Sequence, residues 1–304
     1  MAAETHRHLD AGSLAKLVGL QLRLQTVVEG TLAGIHSSPH HGSSIEFAEH
    51  KEYAPGDDLR HLDWKALGRL DRYYVKRFEN ETDLRAYLVL DCSGSMGYGA
   101  PLSKLEYGSV LVASLAYFLI RQGDRPGLLA FSDRVQSYVP PRSRSAHMTE
   151  VLSVLEQLQA AGTTDLARAI NYLTEVMGHR SLVLVVSDLF EHGENALRLL
   201  VHLRARRHHV VLFHVLHEDE LEFPFDRLTL FESMEDDRRV LVDPGGIRRS
   251  YLKQIHGFLR NTRQVCDTSE IEYHPISTAQ PMDQVLLAFL RRNRTVQQPQ
   301  ADNT

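Results

Sequence analysis

From Leu84 to Arg292 the chain alternates short, continuously apolar runs with longer amphipathic ones, and this alternation limits the fold more than any other feature. The runs Leu84–Leu90, Gly127–Phe131, Arg180–Val186 and His209–Leu216 have strand length without polar alternation, so both faces of each must be covered. Between them, Lys104–Arg121, Ala146–Leu158, Leu166–Met177, Glu194–Arg207 and Ile247–Cys266 carry apolar residues at helical spacing, as does a last segment, Met282–Arg292. Further strands are expected over Arg134–Val139, Arg239–Val242 (an edge strand) and Ile271–His274. Such a pattern predicts an α/β fold: a doubly wound, mostly parallel sheet with helices on both faces. A chain of 304 residues buries enough surface to hold such a core without disulfides or metals.

Upstream the texture differs. Leu14–Leu32 has the spacing of a helix, with Gly34 as its stop, and a polar loop covers Ser37–Ser44. In the dense segment that follows, Pro55-Gly56 signals a turn. Asp57 or Asp58 can cap a short helix bearing Leu59, Leu62 and Trp64, the single tryptophan. Tyr73–Phe78 reads as a strand. The expected organisation is an N-terminal helix and a small α+β segment over residues 1–83, packed on a main domain over 84–293, with a polar tail over 294–304.

The formal charge of −5 lacks the basic excess of a nucleic-acid-binding surface, so no nucleic-acid partner is expected. Two cysteines, Cys92 and Cys266, cannot build a disulfide scaffold and suit a reducing compartment. The N-terminal residues form no apolar core of a secretory signal, and the longest apolar stretch, Val110–Ile120, is too short to span a bilayer. A cytoplasmic location without a membrane span is the expectation.

In doubly wound sheets ligands bind beyond the carboxyl ends of the strands. Three polar clusters fall there: Asp91-Cys92-Ser93-Gly94-Ser95-Met96 after the first apolar strand, the loop Gly162-Thr163-Thr164-Asp165, and Ser187-Asp188 at another strand end. Together they offer hydroxyls and carboxylates only, a donor set for a hard divalent cation such as Mg²⁺ or Mn²⁺. Gly94 is expected to give the turn its backbone freedom. An Asp-x-Ser-x-Ser string alone arises by chance in about one chain in fifteen of this length. Three such clusters in register with strand ends are far more specific.

Asp91-x-Ser93-x-Ser95, Thr164 and Asp188 resemble the metal-ion-dependent adhesion site of von Willebrand factor A domains. The resemblance implies that Ser93, Ser95 and Thr164 bind Mg²⁺ or Mn²⁺ directly, and Asp91 and Asp188 directly or through water. The block Tyr53-x-Pro55-Gly56-Asp57-Asp58-x-Arg60-x-x-Asp63-Trp64-Lys65, with Tyr74-Val75-Lys76-Arg77-Phe78-Glu79 and Glu81, is similar to the signature of the bacterial family called domain of unknown function fifty-eight. Members commonly neighbour MoxR-type AAA+ ATPases. What this implies is a von Willebrand factor A-like fold and a partnership with such an ATPase and a client protein. Thr163 departs from the family pattern, which has a second glycine in that loop.

Other chemistries lack their motifs. No Gly-Lys dipeptide occurs, so there is no Walker A loop. Ser93-Gly94-Ser95-Met96-Gly97 is not a Gly-x-Ser-x-Gly nucleophile elbow, and Ser93 stands where an aspartyl-phosphate enzyme needs a second acid. His217-Glu218 opens a zincin-like string that fails at Leu221, and His208, His209 and His214 are read as core or solvated histidines. Cys92 is read as a small buried residue. With no evident general acid or base beside the cluster, the expected function is a metal-dependent protein-interaction module, not an enzyme. A metal-dependent phosphoesterase or other hydrolase is the alternative. For Pro55–Lys65 the reading is a structural corner around a buried Trp64, with a partner-docking surface as the alternative, since Arg and Trp are frequent interface anchors. On that reading Trp64→Ala lowers stability by about 3–5 kcal/mol, measurable by denaturant unfolding, and an unchanged transition would place Trp64 at the surface.

Overall fold

The structure, a computed structural model, describes residues 20, 23–28, 31, 50–52, 74–76, 84–178, 180–190 and 193–296. The chain divides into two compact units, Ser37–Asp83 and Met1–His36 with Leu84–Thr304. In the smaller unit, β1 (His50–Glu52) pairs antiparallel with β2 (Tyr74–Lys76), the latter inside the strand expected over Tyr73–Phe78. The Pro55–Lys65 segment, with Trp64, lies outside the described residues.

The larger unit is built on six strands: β3 (Arg85–Asp91), β4 (Arg125–Phe131), β5 (Val135–Val139), β6 (Leu182–Ser187), β7 (His209–Leu216) and β10 (Glu272–Ser277). Their order across the sheet is β10-β7-β6-β3-β4-β5, and every neighbouring pair is parallel except β4 and β5. The expected doubly wound, mostly parallel sheet is therefore what forms. The chain leaves β3 toward one edge and later returns to its other side as β6. This reversal of strand order is the crevice at which such sheets bind ligands.

Helices cover both faces. On one lie α1 (Lys104–Arg121), α2 (Ser145–Gln157) and α7 (Met282–Val296). Leu24 and Val28, from the helical residues 23–28, are buried in the same core cluster. On the other lie α3 (Leu166–Val176), α4 (Gly193–Ala205) and α6 (Pro244–Thr268). Helix α1 is the central one. Residues on all its sides, among them Leu105, Val110, Leu111, Val112 and Leu115, are buried, as an apolar circumference requires. It starts sharply because Ser103 and Glu106 form a capping box: the Ser103 hydroxyl accepts from the Glu106 backbone N–H while the Glu106 carboxylate accepts from Ser103 N–H.

The structure departs from expectation between β7 and β10. A short helix, α5 (Glu218–Glu222), follows β7, capped by His217. Arg239–Val242 does form a strand, β9, but as one arm of a hairpin with β8 (Thr229–Glu232), outside the main sheet. β8 has only four residues and half-exposed side chains, so its apolar signal is faint. The hairpin roots in an aromatic cluster in which Phe231 stacks on Phe223 and meets Phe225 edge-on, while Phe223 packs on Tyr251 of α6. Among the described residues no helix is long and apolar enough to cross a membrane.

Candidate functional site

Asp91 is the last residue of β3 and Ser187 the last of β6, so the two central parallel strands deliver them side by side at the carboxyl edge. Asp91 is completely buried. Its Oδ2 accepts hydrogen bonds from the hydroxyls of Ser187 at 2.7 Å and Thr164 at 3.1 Å, and its Oδ1 accepts from the Ser93 backbone N–H at 2.9 Å. Burial, and next the negative charge of Asp188, push its carboxyl above the ordinary range, against the hydrogen bonds that favour the anion. A cation beside it would reverse that shift.

The chain beyond Asp91 forms a short 3₁₀ turn, Gly94–Gly97. Ser93 and Ser95 project their hydroxyl oxygens to within 3.2 Å of each other, and both residues are buried. Main-chain bonds fasten this segment to the Gly162 loop, Gly94 N–H donating to the Gly162 carbonyl and Ala161 N–H to the Cys92 carbonyl, while Asp165 N–H ties that loop to the Ser132 carbonyl. The turn before Thr164 is made by Gly162, whose φ is +76°, so Thr163 needs no left-handed conformation and the missing second glycine is accommodated. Asp165 then caps α3 by accepting from Arg168 N–H.

Adjacent oxygens on an octahedral Mg²⁺ shell, with bonds near 2.0–2.1 Å, stand about 2.8–3.0 Å apart. The Ser93–Ser95 pair at 3.2 Å and the Thr164–Asp91 pair at 3.1 Å are hydrogen-bonded at slightly longer spacing, and their three hydroxyls and one carboxylate are a donor set that fits a small hard cation. Four of the five expected site residues thus converge by direct contact. The fifth, Asp188, is nearby and buried, but both its carboxylate oxygens are engaged elsewhere. Oδ2 receives the Lys104 ammonium at 2.7 Å, and Oδ1 accepts from Phe190 N–H at 3.2 Å. Asp188 therefore acts on the site through charge.

Lys104 is the residue the sequence reading missed. Its side chain is fully buried and spans Asp188 and Glu220 of α5, the latter at 2.6 Å. Burial alone would lower its affinity for the proton, but attraction to Asp188 and Glu220 outweighs this and raises the ammonium above its ordinary range. One signal was available. A lysine at the first position of a helix faces the positive end of the helix dipole, which only a carboxylate partner offsets. Ser187, which orients Asp91, was in view but was not assigned a role.

Gly94 serves a different purpose from the one expected. It is not among the glycines with positive φ. A Cβ there would meet the carbonyl oxygen of Met234, at the tip of the β8–β9 hairpin, at 1.9 Å. Space, not backbone freedom, demands the glycine.

The remaining candidates are committed structurally. Burial pushes the Cys92 thiol up to about 12, and its S–H donates to the Phe131 carbonyl at 2.9 Å. The Asp188 carbonyl can only accept, so His214 Nε2 carries the proton, and its Nδ1 accepts from the Tyr273 hydroxyl. Burial holds this imidazole neutral, down to about 4. His208 accepts from Ser181 N–H and His217 caps α5. Among the described residues no three His, Cys, Asp or Glu side chains gather as a metal cluster. A cleft of about 580 Å³ opens beside Thr164 and Ser187, lined also by Asp133, Asp165, Arg168 and Leu199.

A sheet of this order with one antiparallel edge strand, carrying Asp-x-Ser-x-Ser at the end of its central strand opposite a threonine loop, defines a von Willebrand factor A-like domain. The chain belongs to the family described as "Protein of unknown function DUF58", whose model matches residues 49–257. It is 29% identical over 219 residues to the uncharacterized protein Rv1480 of Mycobacterium tuberculosis, covering 71% of this chain and 68% of that protein. Among solved structures it is similar to the conserved hypothetical protein BatB of Bacteroides thetaiotaomicron (15% identity, 70% of this chain and 99% of that one, TM-score 0.46). It is also similar to the SpRpn10 VWA domain (11% identity, 67% and 93%, TM-score 0.42).

The Lys104 pair is testable. Lys104→Met leaves Asp188 and Glu220 in a buried place without their cation, and breaking a buried pair in this way costs about 3–5 kcal/mol. Denaturant unfolding at neutral pH should show that loss. Asp188→Asn in the Lys104→Met background should recover part of it, a coupling that independent surface charges would not produce.

Proposed function

We propose that this protein is a metal-dependent protein-interaction module. Ser93, Ser95 and Thr164 would hold Mg²⁺ or Mn²⁺ through their hydroxyl oxygens, and Asp91 would offset its charge directly or through water. Asp188, tied to Lys104, would add negative potential from behind. A partner's Asp or Glu would complete the coordination. The observation that carries this reading is the convergence of the Ser93–Ser95 hydroxyl pair with the Thr164–Asp91 pair at the reversal of strand order, an oxygen-only donor set.

The protonic groups around Asp91 support binding over turnover. The Cys92 thiol, the Lys104 ammonium and the His214 imidazole are each locked into buried hydrogen bonds, which leaves none of the three poised to shuttle protons to a bound substrate. Family membership supports a MoxR-type AAA+ ATPase as the partner, with this chain as the adaptor between it and a client protein.

In thermal unfolding, millimolar Mg²⁺ should raise the wild-type midpoint relative to EDTA, because a ligand that binds only the folded state stabilises it. Ser95→Ala and Thr164→Ala should unfold like wild type in EDTA and lose the Mg²⁺ shift. A wild-type midpoint indifferent to Mg²⁺ and Mn²⁺, with no heat of binding in calorimetry, would defeat the proposal. Metal-dependent turnover of a simple phosphoester, lost in Asp91→Ala, would replace it with the hydrolase.

A further inference from the structure

Lys104 stands between two carboxylates, one beside the candidate site and one on α5. Its ammonium donates to Asp188 Oδ2 at 2.7 Å and to Glu220 Oε1 at 2.6 Å. Attraction to both outweighs burial and keeps the lysine charged. A lysine paired with Asp188 alone would cancel that carboxylate. Shared with Glu220, one positive charge faces two negative ones, and the trio keeps a negative surplus. That surplus lies one residue from Ser187, whose hydroxyl holds Asp91 Oδ2, in an interior that screens charge poorly. Glu220 is fixed in place. Its Oε2 accepts from His217 N–H at 2.7 Å, and the Tyr251 hydroxyl of α6 donates to its carbonyl at 2.9 Å. Beside it on α5, Asp219 accepts at 2.8 Å from the hydroxyl of Tyr98, the residue that ends the Gly94–Gly97 turn. Lys104 N–H in turn donates to the Tyr98 carbonyl, and a Cβ on Gly99 would lie 2.7 Å from the His217 ring. Helix α5 thus grips the chain between the Gly94–Gly97 turn and α1 at both ends.

We propose that Glu220 is a remote positioning residue of the metal site: by sharing the Lys104 ammonium it keeps Asp188 negative toward the cation, and so sets the affinity for a divalent metal. The inference rests on the metal-binding reading above and adds the group that regulates it. Helix α5 is the lever. Drawing Glu220 away from Lys104 leaves the ammonium to Asp188 alone, cancels the surplus and loosens the ion. Losing the lysine does the reverse, because both carboxylates then act on the cation uncompensated, even as the metal-free fold weakens. That opposition is the signature of a charge balance. Structural damage alone would weaken fold and binding together.

The test is the Mn²⁺ affinity of the full chain by titration calorimetry, with unfolding in EDTA to check that each variant folds. Glu220→Gln, whose amide oxygen can still accept from His217 N–H, should bind Mn²⁺ about tenfold more weakly than wild type, the lower end of the range for losing an outer group of a metal site. Glu220→Asp keeps the charge and should stay closer to wild type. Lys104→Gln, whose amide can still donate to Asp188, should be less stable than wild type in EDTA yet bind Mn²⁺ more tightly. Combining Lys104→Gln with Glu220→Gln should return the affinity toward wild type. Where wild type binds Mn²⁺ and Ser95→Ala does not, three results overturn the charge balance and leave the metal site standing: Glu220→Gln binding as wild type does, Glu220→Asp as weak as Glu220→Gln, or a folded Lys104→Gln that binds more weakly. If Lys104→Gln does not fold, the ranking of wild type, Glu220→Asp and Glu220→Gln decides alone. Wild type that binds no Mn²⁺ overturns both.

Discussion

Two carboxylates buried at the same edge of one sheet, Asp91 and Asp188, set the terms for everything around them. Their charges repel in a medium that screens poorly, so each needs compensation from groups that are also buried. For Asp188 it is the Lys104 ammonium, brought by the first turn of α1 and shared with Glu220 of α5. For Asp91 it is a ring of donors, Ser187, Thr164 and the Ser93 N–H, none of which carries charge. The asymmetry is the functional point. One carboxylate has its countercharge built in, and the other retains a deficit that a cation would fill.

The same compensation joins distant parts of the fold. Lys104 is linked to partners 84 and 116 residues along the chain, and Asp188 is reached again through the His214 ring on its carbonyl. A change in α5 is therefore felt at Asp188, beside the candidate site, through one lysine. Because the β8–β9 hairpin begins shortly after α5 and its tip rests on Gly94, the helix and the hairpin sit on one continuous stretch of chain. The geometry connects a solvent-exposed hairpin to the fully buried charges of Asp91, Lys104 and Asp188.

Much of the architecture was legible because its signals are local. Lys104–Arg121 and His209–Leu216 appear at their expected ends, since a capping box marks one and a short run rich in valine and other large apolar residues the other. The Asp91, Ser93, Ser95 and Thr164 grouping was legible too, because Asp91, Ser93 and Ser95 fall at the carboxyl end of a strand that the fold class orients, and Thr164 falls in the loop just before a helix. The hairpin was less so. Thr229–Glu232 is too short and too exposed to declare itself, and Arg239–Val242 declares a strand without naming its mate. Gly94 was visible as a glycine, but its reason was not, since Met234 comes near it only in the folded chain.

The sequence by itself determined the layer order of sheet and helices and the oxygen-only chemistry at the strand ends. Both follow from residue type and spacing within a few turns of chain. Only the tertiary structure decided which carboxylate meets a buried ammonium and which one meets only uncharged donors. Those outcomes depend on side chains that meet across long stretches of sequence. Buried charge is settled by whichever opposite charge or hydrogen-bond donor the fold brings within reach, and spacing along the chain carries no record of that meeting.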